Sequence, residues 1–491
     1  MALPYGALIE SLEQEVERGT MTAWAFAHRD GLACAYYADE ACPPDWILDE
    51  RHPEDPENTT IKAWFPAFDL ASLSKPLLAN ASLRLALGCD ALPWTATALA
   101  SLLEPRSEEG QLLQAWAKKR PWLTLAHLLN HTSGLAPWCW FGRTLWQFQD
   151  NSTARRSFGR ATDLTQDPSG DKARAAQLSL TRHILERAPQ EPQHTTVYSD
   201  LNYFLLARVI ENLAMTSFRG WDHCLTSLNT FWTSEFWHAS LDPERSATAI
   251  PFYPYLHSQV VAHVYENRKL ENHAGFFGSV HDTNANILAS EFKAAHQMAP
   301  IVSSHAGLFG SIQDVKNTVP FLLESQLELM QNRKPFAAQS DRFSWGMDTP
   351  SSAQSTAGLK TWPLNRGRSI FGHLGYTGTS LWIADDGQFH VLLTNRIAQR
   401  RTIGAQTAPR ILLFQKYSNS MPDCWISIPS RKALQDSESK RHWQELSWRD
   451  TYTLNFEQFR LNTRYWDRHA LRTPPDLAHL RRTTGQSLWT L

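Results

Sequence analysis

A serine and a lysine three residues apart, Ser72 and Lys75, stand in the phrase Phe68-Asp69-Leu70-Ala71-Ser72-Leu73-Ser74-Lys75-Pro76. Residues at that spacing share one face of a helix. If Ser72 opens the helix, its hydroxyl sits at the positive end of the dipole, among backbone N–H groups without intrahelical acceptors. Lys75, one turn on, can then take or relay the serine proton, which is the minimum apparatus of a serine acyl-transfer enzyme. The spacing alone says little, because it recurs at Ser169/Lys172, Ser290/Lys293 and Ser437/Lys440, which read as solvated or helix-face pairs. Ser72 differs in its surroundings. Apolar residues Trp64, Phe65, Phe68 and Leu70 lead into it, and Leu77, Leu78, Leu83 and Leu85 predict a helix over 76–87 that Gly88 ends. Pro76 fits the first turn, where the N–H groups lack helical partners anyway.

Three other phrases carry residues of similar promise. Leu125 to Leu135 (LAHLLNHTSGL) reads as a helix ending in a polar turn. Val197-Tyr198-Ser199-Asp200-Leu201-Asn202-Tyr203 sets a tyrosine at the mouth of a helix over 204–212. Gly372-His373-Leu374-Gly375-Tyr376-Thr377-Gly378 lies on a glycine-rich strand before a hairpin.

The elements that must position these residues are legible at both ends of the chain. Leu8, Ile9, Leu12 and Val16 make the apolar stripe of a first helix that stops near Gly19. Residues 23–28 and 32–38 read as two strands joined at Asp30-Gly31, a strong hairpin signal. Residues 369–376, 380–384 and 389–394 read as three more strands, the last two turning at Asp386-Gly387, and 403–417 as an amphipathic helix. The expected fold is α/β (α+β): a five-stranded antiparallel sheet with both terminal helices on one face, and a mostly helical lobe from the middle of the chain. The stretch 151–172 mixes Ser, Thr, Asp, Gly and Arg and reads as a mobile insertion.

In their order along the chain, these motifs resemble the serine hydrolase family of class C β-lactamases, D-alanyl-D-alanine peptidases and related esterases. The likeness runs from about residue 7 to about residue 416. Residues 68–76 resemble the nucleophile motif, Tyr198-Ser199-Asp200 the Tyr-x-Asn motif, and His373-Leu374-Gly375 the Lys-Thr-Gly strand, which esterase-like members carry as His-x-Gly. The phrases around 127–135, Val280-His281-Asp282-Thr283-Asn284-Ala285 and His305-Ala306-Gly307-Leu308-Phe309 resemble recurring family phrases. The resemblance implies a β-lactamase/transpeptidase-like domain over 1–420, with a sheet lobe from 1–70 and 301–420 and a helical lobe over 71–300. It implies Ser72 as nucleophile, Lys75 and Tyr198 sharing general base and acid work, and an oxyanion hole from the backbone N–H groups of Ser72 and Tyr376. Asp200, His373, Leu374, Gly375, His281, Asp282 and His305 would line the substrate cleft. Gly375 would leave room for substrate along the strand.

Three positions depart from the pattern. Asp200 stands where many members have Asn, and a carboxylate accepts hydrogen bonds without donating them. It could pair with Lys75 instead of reading a substrate amide. His373 and Leu374 replace the strand lysine and its hydroxyl neighbour, which weakens the grip on a free carboxylate. Efficient β-lactamase activity is therefore not expected.

Composition bounds the remaining possibilities. The chain has 491 residues, 42% of them hydrophobic, enough for a large core or two subdomains. A net charge of −2 favours neither nucleic acid nor an anionic membrane surface. No apolar run approaches the roughly 18 residues of a membrane span, and acidic residues from Glu10 onward break any N-terminal signal, so a cytoplasmic location is expected. The six cysteines are scattered, with no C-x-x-C pair, and read as free, partly buried thiols, with disulfides as the second reading. His257, His263, His273, His281 and His305 match no metal motif, and no metal or cofactor is expected. Trp138, Trp140, Trp146, Trp221, Trp232 and Trp237 read as aromatic packing in the helical region, with an aromatic cleft wall as the other reading. Residues 421–491 lie outside the likeness: an appendage packed on the hydrolase, or a segment binding a partner or a second copy. Two functions follow. One is a serine hydrolase forming an acyl-enzyme at Ser72 on a small-molecule or peptide ester or amide, cell-wall-derived fragments included. The other is a catalytically silent binding or assembly protein on the same fold.

Overall fold

The computed structural model describes residues 12, 23–29, 31–36, 46–49, 67–87, 97–139, 141, 144, 171–191, 196–214, 220–242, 245, 249, 253–254, 280, 282, 284–285, 288, 301–331, 342–349 and 370–397. Its strands are β1 (Ala23–His28), β2 (Gly31–Tyr36), β3 (Trp46–Asp49), β4 (Ala67–Asp69), β5 (Trp237–His238), β6 (Tyr253–Pro254), β7 (Leu308–Ser311), β8 (Phe343–Ser344), β9 (Met347–Asp348), β10 (Ile370–Leu374), β11 (Ser380–Ala384), β12 (Phe389–Thr394) and β13 (Arg396–Ile397). The helices are α1 (Ala81–Leu87), α2 (Leu99–Leu102), α3 (Glu108–Lys118), α4 (Leu125–Leu129), α5 (Asp171–Leu185), α6 (Asp200–Ala214), α7 (Trp221–Trp232) and α8 (Ile312–Gln331).

The main sheet runs β3-β2-β1-β12-β11-β10-β9-β8, antiparallel at every step. The five expected strands are its contiguous centre. The expectation of five is corrected: β3 adds a sixth strand of four or more residues, and the two-residue strands β8 and β9 form a short hairpin on the β10 edge. The expected 369–376 strand ends at Leu374, because Gly375 turns back and its N–H donates to the Thr379 carbonyl. A smaller sheet, β4-β7-β5, stands beside it, and β6 pairs in parallel with β13.

The central strands are buried along their whole length. Side chains alternate across a strand, so Ala23, Ala25 and Ala27 share one face of β1 and join Leu381, Ile383, Val391 and Leu393 in the main core. Short alanines there let α8 lie close, bringing Ile312, Val315, Val319 and Leu322 into the same core. Trp24, Phe26 and Trp382 fill the opposite face, all fully buried.

The helical side is organised by α6, which packs on α4, α1 and the helical turn 75–80. Buried residues lie nearly all round it, the signature of a helix enclosed by the protein. Trp221, Trp232 and Trp237 are buried, as the packing reading expected, whereas Trp138 is exposed. Cys139 and Cys224 are free thiols. Asp171 and Lys172, placed in the expected insertion, open α5 instead. Apart from helical, buried Leu12, the first helix lies outside the described residues. So do the expected 403–417 helix, residues 151–170, His281 and the segment 421–491. Among the described residues no helix is long and apolar enough to cross a membrane, and no group of three or more His, Cys, Asp or Glu is placed to hold a metal ion.

Candidate active site

Ser72 lies in a tight turn that the sequence builds from both sides. Residues 71–73 form a 3-10 turn, 75–80 a π-helical stretch and 81–87 an α-helix, so the chain is helical from Ala71, five residues before the predicted start. Single π turns inside helices recur at functional sites. Ala71 has φ of 48°, in the left-handed region, which costs an ordinary residue roughly 1–2 kcal/mol. Neighbours hold it there. The Asp69 carboxylate accepts the Ala71 N–H at 2.8 Å, and the Ser74 hydroxyl donates to the Ala71 carbonyl at 2.6 Å. Leu70 N–H donates to Leu308 O on β7, and Leu308 N–H to Ser74 Oγ. Asp69 and Ser74 escape a reading by residue type, and only their closeness to Ser72 marks them.

Lys75 and Tyr198 converge on the serine. Ser72 is half-buried, and its Oγ lies 3.0 Å from Lys75 Nζ and 3.0 Å from the Tyr198 hydroxyl. Tyr198 precedes α6 by two residues, so the helix start carries it to the turn. Lys75 is fully buried, and its ammonium also donates to Asp200 Oδ1 at 2.8 Å and to the His305 carbonyl at 3.1 Å. Asp200 thus does pair with Lys75. Burial pulls the Lys75 ammonium down, but the Asp200 carboxylate and the Tyr198 oxygen together outweigh it and hold the lysine above its ordinary range. Burial also raises the Tyr198 phenol, against the pull of Lys75, and Asp200 raises it further. The resting site is therefore ammonium, phenol and serine hydroxyl.

The β10 strand brings its motif alongside. A Cβ on Gly375 would collide with Thr379 Oγ1 and lie 3.0 Å from Leu70 O and 3.2 Å from Ala71 Cβ. The demand for glycine there comes from the protein's own packing against the Ser72 turn, where the sequence suggested room for substrate. Thr377 Oγ1 donates to Asp69 O, a second tie between the two turns. Tyr376, next in the chain, is 42% exposed. His373 is buried, its Nδ1–H donating to the Leu374 carbonyl at 2.8 Å. Burial, with Lys75 nearby, pushes its ring down to about 3, so it is neutral. Leu374 is half-buried.

His305 and Asp282 do meet, but not as an open pair. The His305 imidazole is buried, bonded through Nε2 to Asp282 Oδ1 at 2.8 Å and through Nδ1 to Ser303 Oγ. Its carbonyl, not its ring, faces the site through Lys75. His131, in the phrase noted after α4, lies against Tyr198 with ring centroids 4.6 Å apart.

A family model described as Beta-lactamase matches residues 66–405. No curated protein matches the chain. Among solved structures, the chain is similar to a D-amino acid amidase from Ochrobactrum anthropi (14% identity, 80% of this chain and 92% of that one, TM-score 0.41). It is also similar to a class C beta-lactamase from Rhodobacter sphaeroides (15% identity, 80% and 94%, TM-score 0.40). A penicillin-binding protein homologue from Caulobacter crescentus is a third (12% identity, 80% and 91%, TM-score 0.42).

Proposed function

Because the chain belongs to the beta-lactamase family, we propose that it is a serine hydrolase that forms an acyl-enzyme at Ser72 and cleaves an ester or amide. The observation that carries this reading is the meeting of Ser72 Oγ with Lys75 Nζ and the Tyr198 hydroxyl, each at 3.0 Å. Tyr198 comes from a separate part of the chain, 126 residues away from Ser72.

The reaction on these residues runs in two halves. Ser72 Oγ attacks the substrate carbonyl carbon while its proton passes to the Lys75–Tyr198 pair. The carbonyl oxygen, now an anion, is held by the N–H groups of Ser72 and Tyr376, donors typically worth about 3 kcal/mol each. The packing of Gly375 on Leu70 and Ala71 supports that placement of Tyr376. The bond to the leaving group breaks, and the leaving group takes the proton. Water then attacks the acyl carbon with Tyr198 accepting its proton, the ester to Ser72 breaks, and the proton returns to Ser72 Oγ. In the resting state neither Lys75 nor Tyr198 is a base, so one proton must leave the pair first. The two titrate together, and the base belongs to the pair rather than to one residue.

The test is covalent. A fluorophosphonate probe should form an adduct that mass spectrometry of the digest places on Ser72. Ser72→Ala should abolish the adduct and all turnover while circular dichroism stays that of the wild type. A wild-type adduct elsewhere, or full turnover in Ser72→Ala, overturns the assignment. A panel of short-chain esters, D-amino-acid amides and a chromogenic β-lactam then ranks ester against amide.

A further inference from the structure

His131 is buried, and its backbone is left-handed, with φ of 58°. For a residue other than glycine that conformation is uncommon and strained, and such strain gathers at functional sites. What the strain achieves here is visible. The His131 carbonyl accepts the Val197 N–H at 2.9 Å, and His131 Nδ1 accepts the Ser199 N–H at 3.1 Å. The two amides flanking Tyr198 therefore end on one residue. The ring packs on the Tyr198 ring at 4.6 Å and meets Phe343 edge-on at 4.6 Å and Tyr203 at 5.3 Å.

We propose that His131 is a positioning residue for Tyr198: by holding both flanking amides and the face of the phenol ring, it sets the Tyr198 hydroxyl against Ser72 Oγ. The inference rests on the reading of Ser72 as nucleophile and Tyr198 as its proton partner.

The residue type fits the task. The position needs an aromatic plate and an acceptor in one side chain, and a neutral imidazole offers both. Because Nδ1 accepts, the ring proton is on Nε2, which has no hydrogen-bond partner among the described residues. A proton on Nδ1 would face the Ser199 N–H and the Asn202 side-chain amide, 3.3 Å away. Burial, then Lys75, keeps the ring from acquiring that proton by holding it well below its ordinary range.

Two substitutions divide the side chain's functions. His131→Asn leaves an acceptor near the place of Nδ1 and tolerates a left-handed backbone. His131→Phe keeps the plate and loses the acceptor. Each is measured by the second-order rate of Ser72 labelling with a fluorophosphonate, split into probe affinity and acylation rate, and by hydrogen exchange of the Ser199 amide. His131→Phe should slow acylation by about 10- to 100-fold, leave probe affinity within a factor of about three, and speed Ser199 exchange. His131→Asn should recover the part of the lost rate and of the Ser199 protection that the acceptor carries, and not the part carried by the ring. In a Tyr198→Phe background, His131→Phe should cost less than about threefold more, because residues acting through one group are not additive. If His131→Phe does not fold, His131→Gln, whose amide falls near Nε2 instead, takes its place. Wild-type protein that labels at Ser72 while the acceptor-less variant acylates equally fast overturns the inference and leaves Ser72 standing. Additive losses in the Tyr198→Phe background overturn it too. Wild-type protein that does not label at Ser72 overturns the nucleophile reading, and this inference with it.

Discussion

Replacing Asp200 by Asn removes one charge from the candidate site and little else. The amide keeps an oxygen that can accept from Lys75. In the native protein the Asp200 carboxylate lies 2.8 Å from Lys75 Nζ, with its side chain 19% exposed and the lysine fully buried. Two unit charges at that distance attract by about 6 kcal/mol at an effective dielectric constant near 20. Solvent reaching Asp200 reduces this, and carboxylate–cation pairs at such range shift each other by about 1–3 pH units. Asp200 raises both Lys75 and Tyr198. Whichever of the two accepts the Ser72 proton, it must first lose its own, so acylation should rise with pH. Removing the carboxylate makes either deprotonation easier. The rising limb of the pH–rate profile should therefore move to lower pH by about 1–3 units, and below the limb the rate should increase about tenfold per unit moved. The assay is fluorophosphonate labelling of Ser72 from pH 5 to about pH 11, the range over which a lysine and a tyrosine can titrate, on protein shown to be folded at each pH. A limb that stays in place, or moves upward, refutes the electrostatic argument. A variant slow at every pH refutes it differently, because Asp200 would then be a required proton acceptor.

Two further outcomes follow from packing and burial. Gly375→Ala should lower stability by about 1–3 kcal/mol in denaturant melts, since the new methyl has no space against Thr379 and Leu70, and it should slow Ser72 labelling by displacing Tyr376. Wild-type stability would show that the turn yields freely. His238 is buried, its Nε2 bonded to the Ser303 and Ala306 carbonyls and its ring pushed down to about 4 by burial. Its folded value lies below its unfolded one, so its stability is intact above about pH 6.5 and is lost as pH falls toward 4. That loss is about 3 kcal/mol, and His238→Gln should lose that much less stability between pH 7 and pH 4; equal losses refute the assignment.

How much of this was legible depends on the range of the interaction. β1, β11 and β12 match the sequence reading residue for residue, because short apolar runs bounded by tight Asp-Gly turns are local signals. β8 and β9, two residues each, have no period to read. Ser72, Lys75 and Tyr198 were legible as motif residues, and the carboxylate at 200 as a partner for Lys75. The supports were not. The Asp69 carboxylate holds the backbone N–H of Ala71, and His131 acts on two amides 66 and 68 residues further along the chain. His305 was marked by its imidazole, yet it meets Lys75 through a carbonyl, a group every residue carries and no residue type announces.

The hydrogen-bond count at Lys75 bears on what the site can bind. An ammonium has three N–H donors, and Ser72 Oγ, Asp200 Oδ1 and the His305 carbonyl accept all three. Lys75 therefore has no donor left for a substrate, and its contribution is to proton transfer and potential. His373, in the strand position where the family motif has lysine, is neutral and buried, with its N–H on the Leu374 carbonyl. Arg342, whose charge both His131 and His373 feel, is held by two hydrogen bonds to Asp348. Lys75 would have to give up a partner to pair with an anionic substrate, Arg342 is already paired with Asp348, and His373 carries no charge. The large hydrophobic side chains exposed among the described residues are Trp138 and Tyr376. Each is one residue from the site: Pro137 accepts the Asp200 N–H, and Gly375 packs on Ala71. On the proposed reading, affinity comes from apolar contact with these rings, at roughly 25 cal/mol per Å² buried, and from backbone donors at the reacting carbonyl. That combination suits an uncharged ester or amide with apolar flanks better than one ending in a free carboxylate.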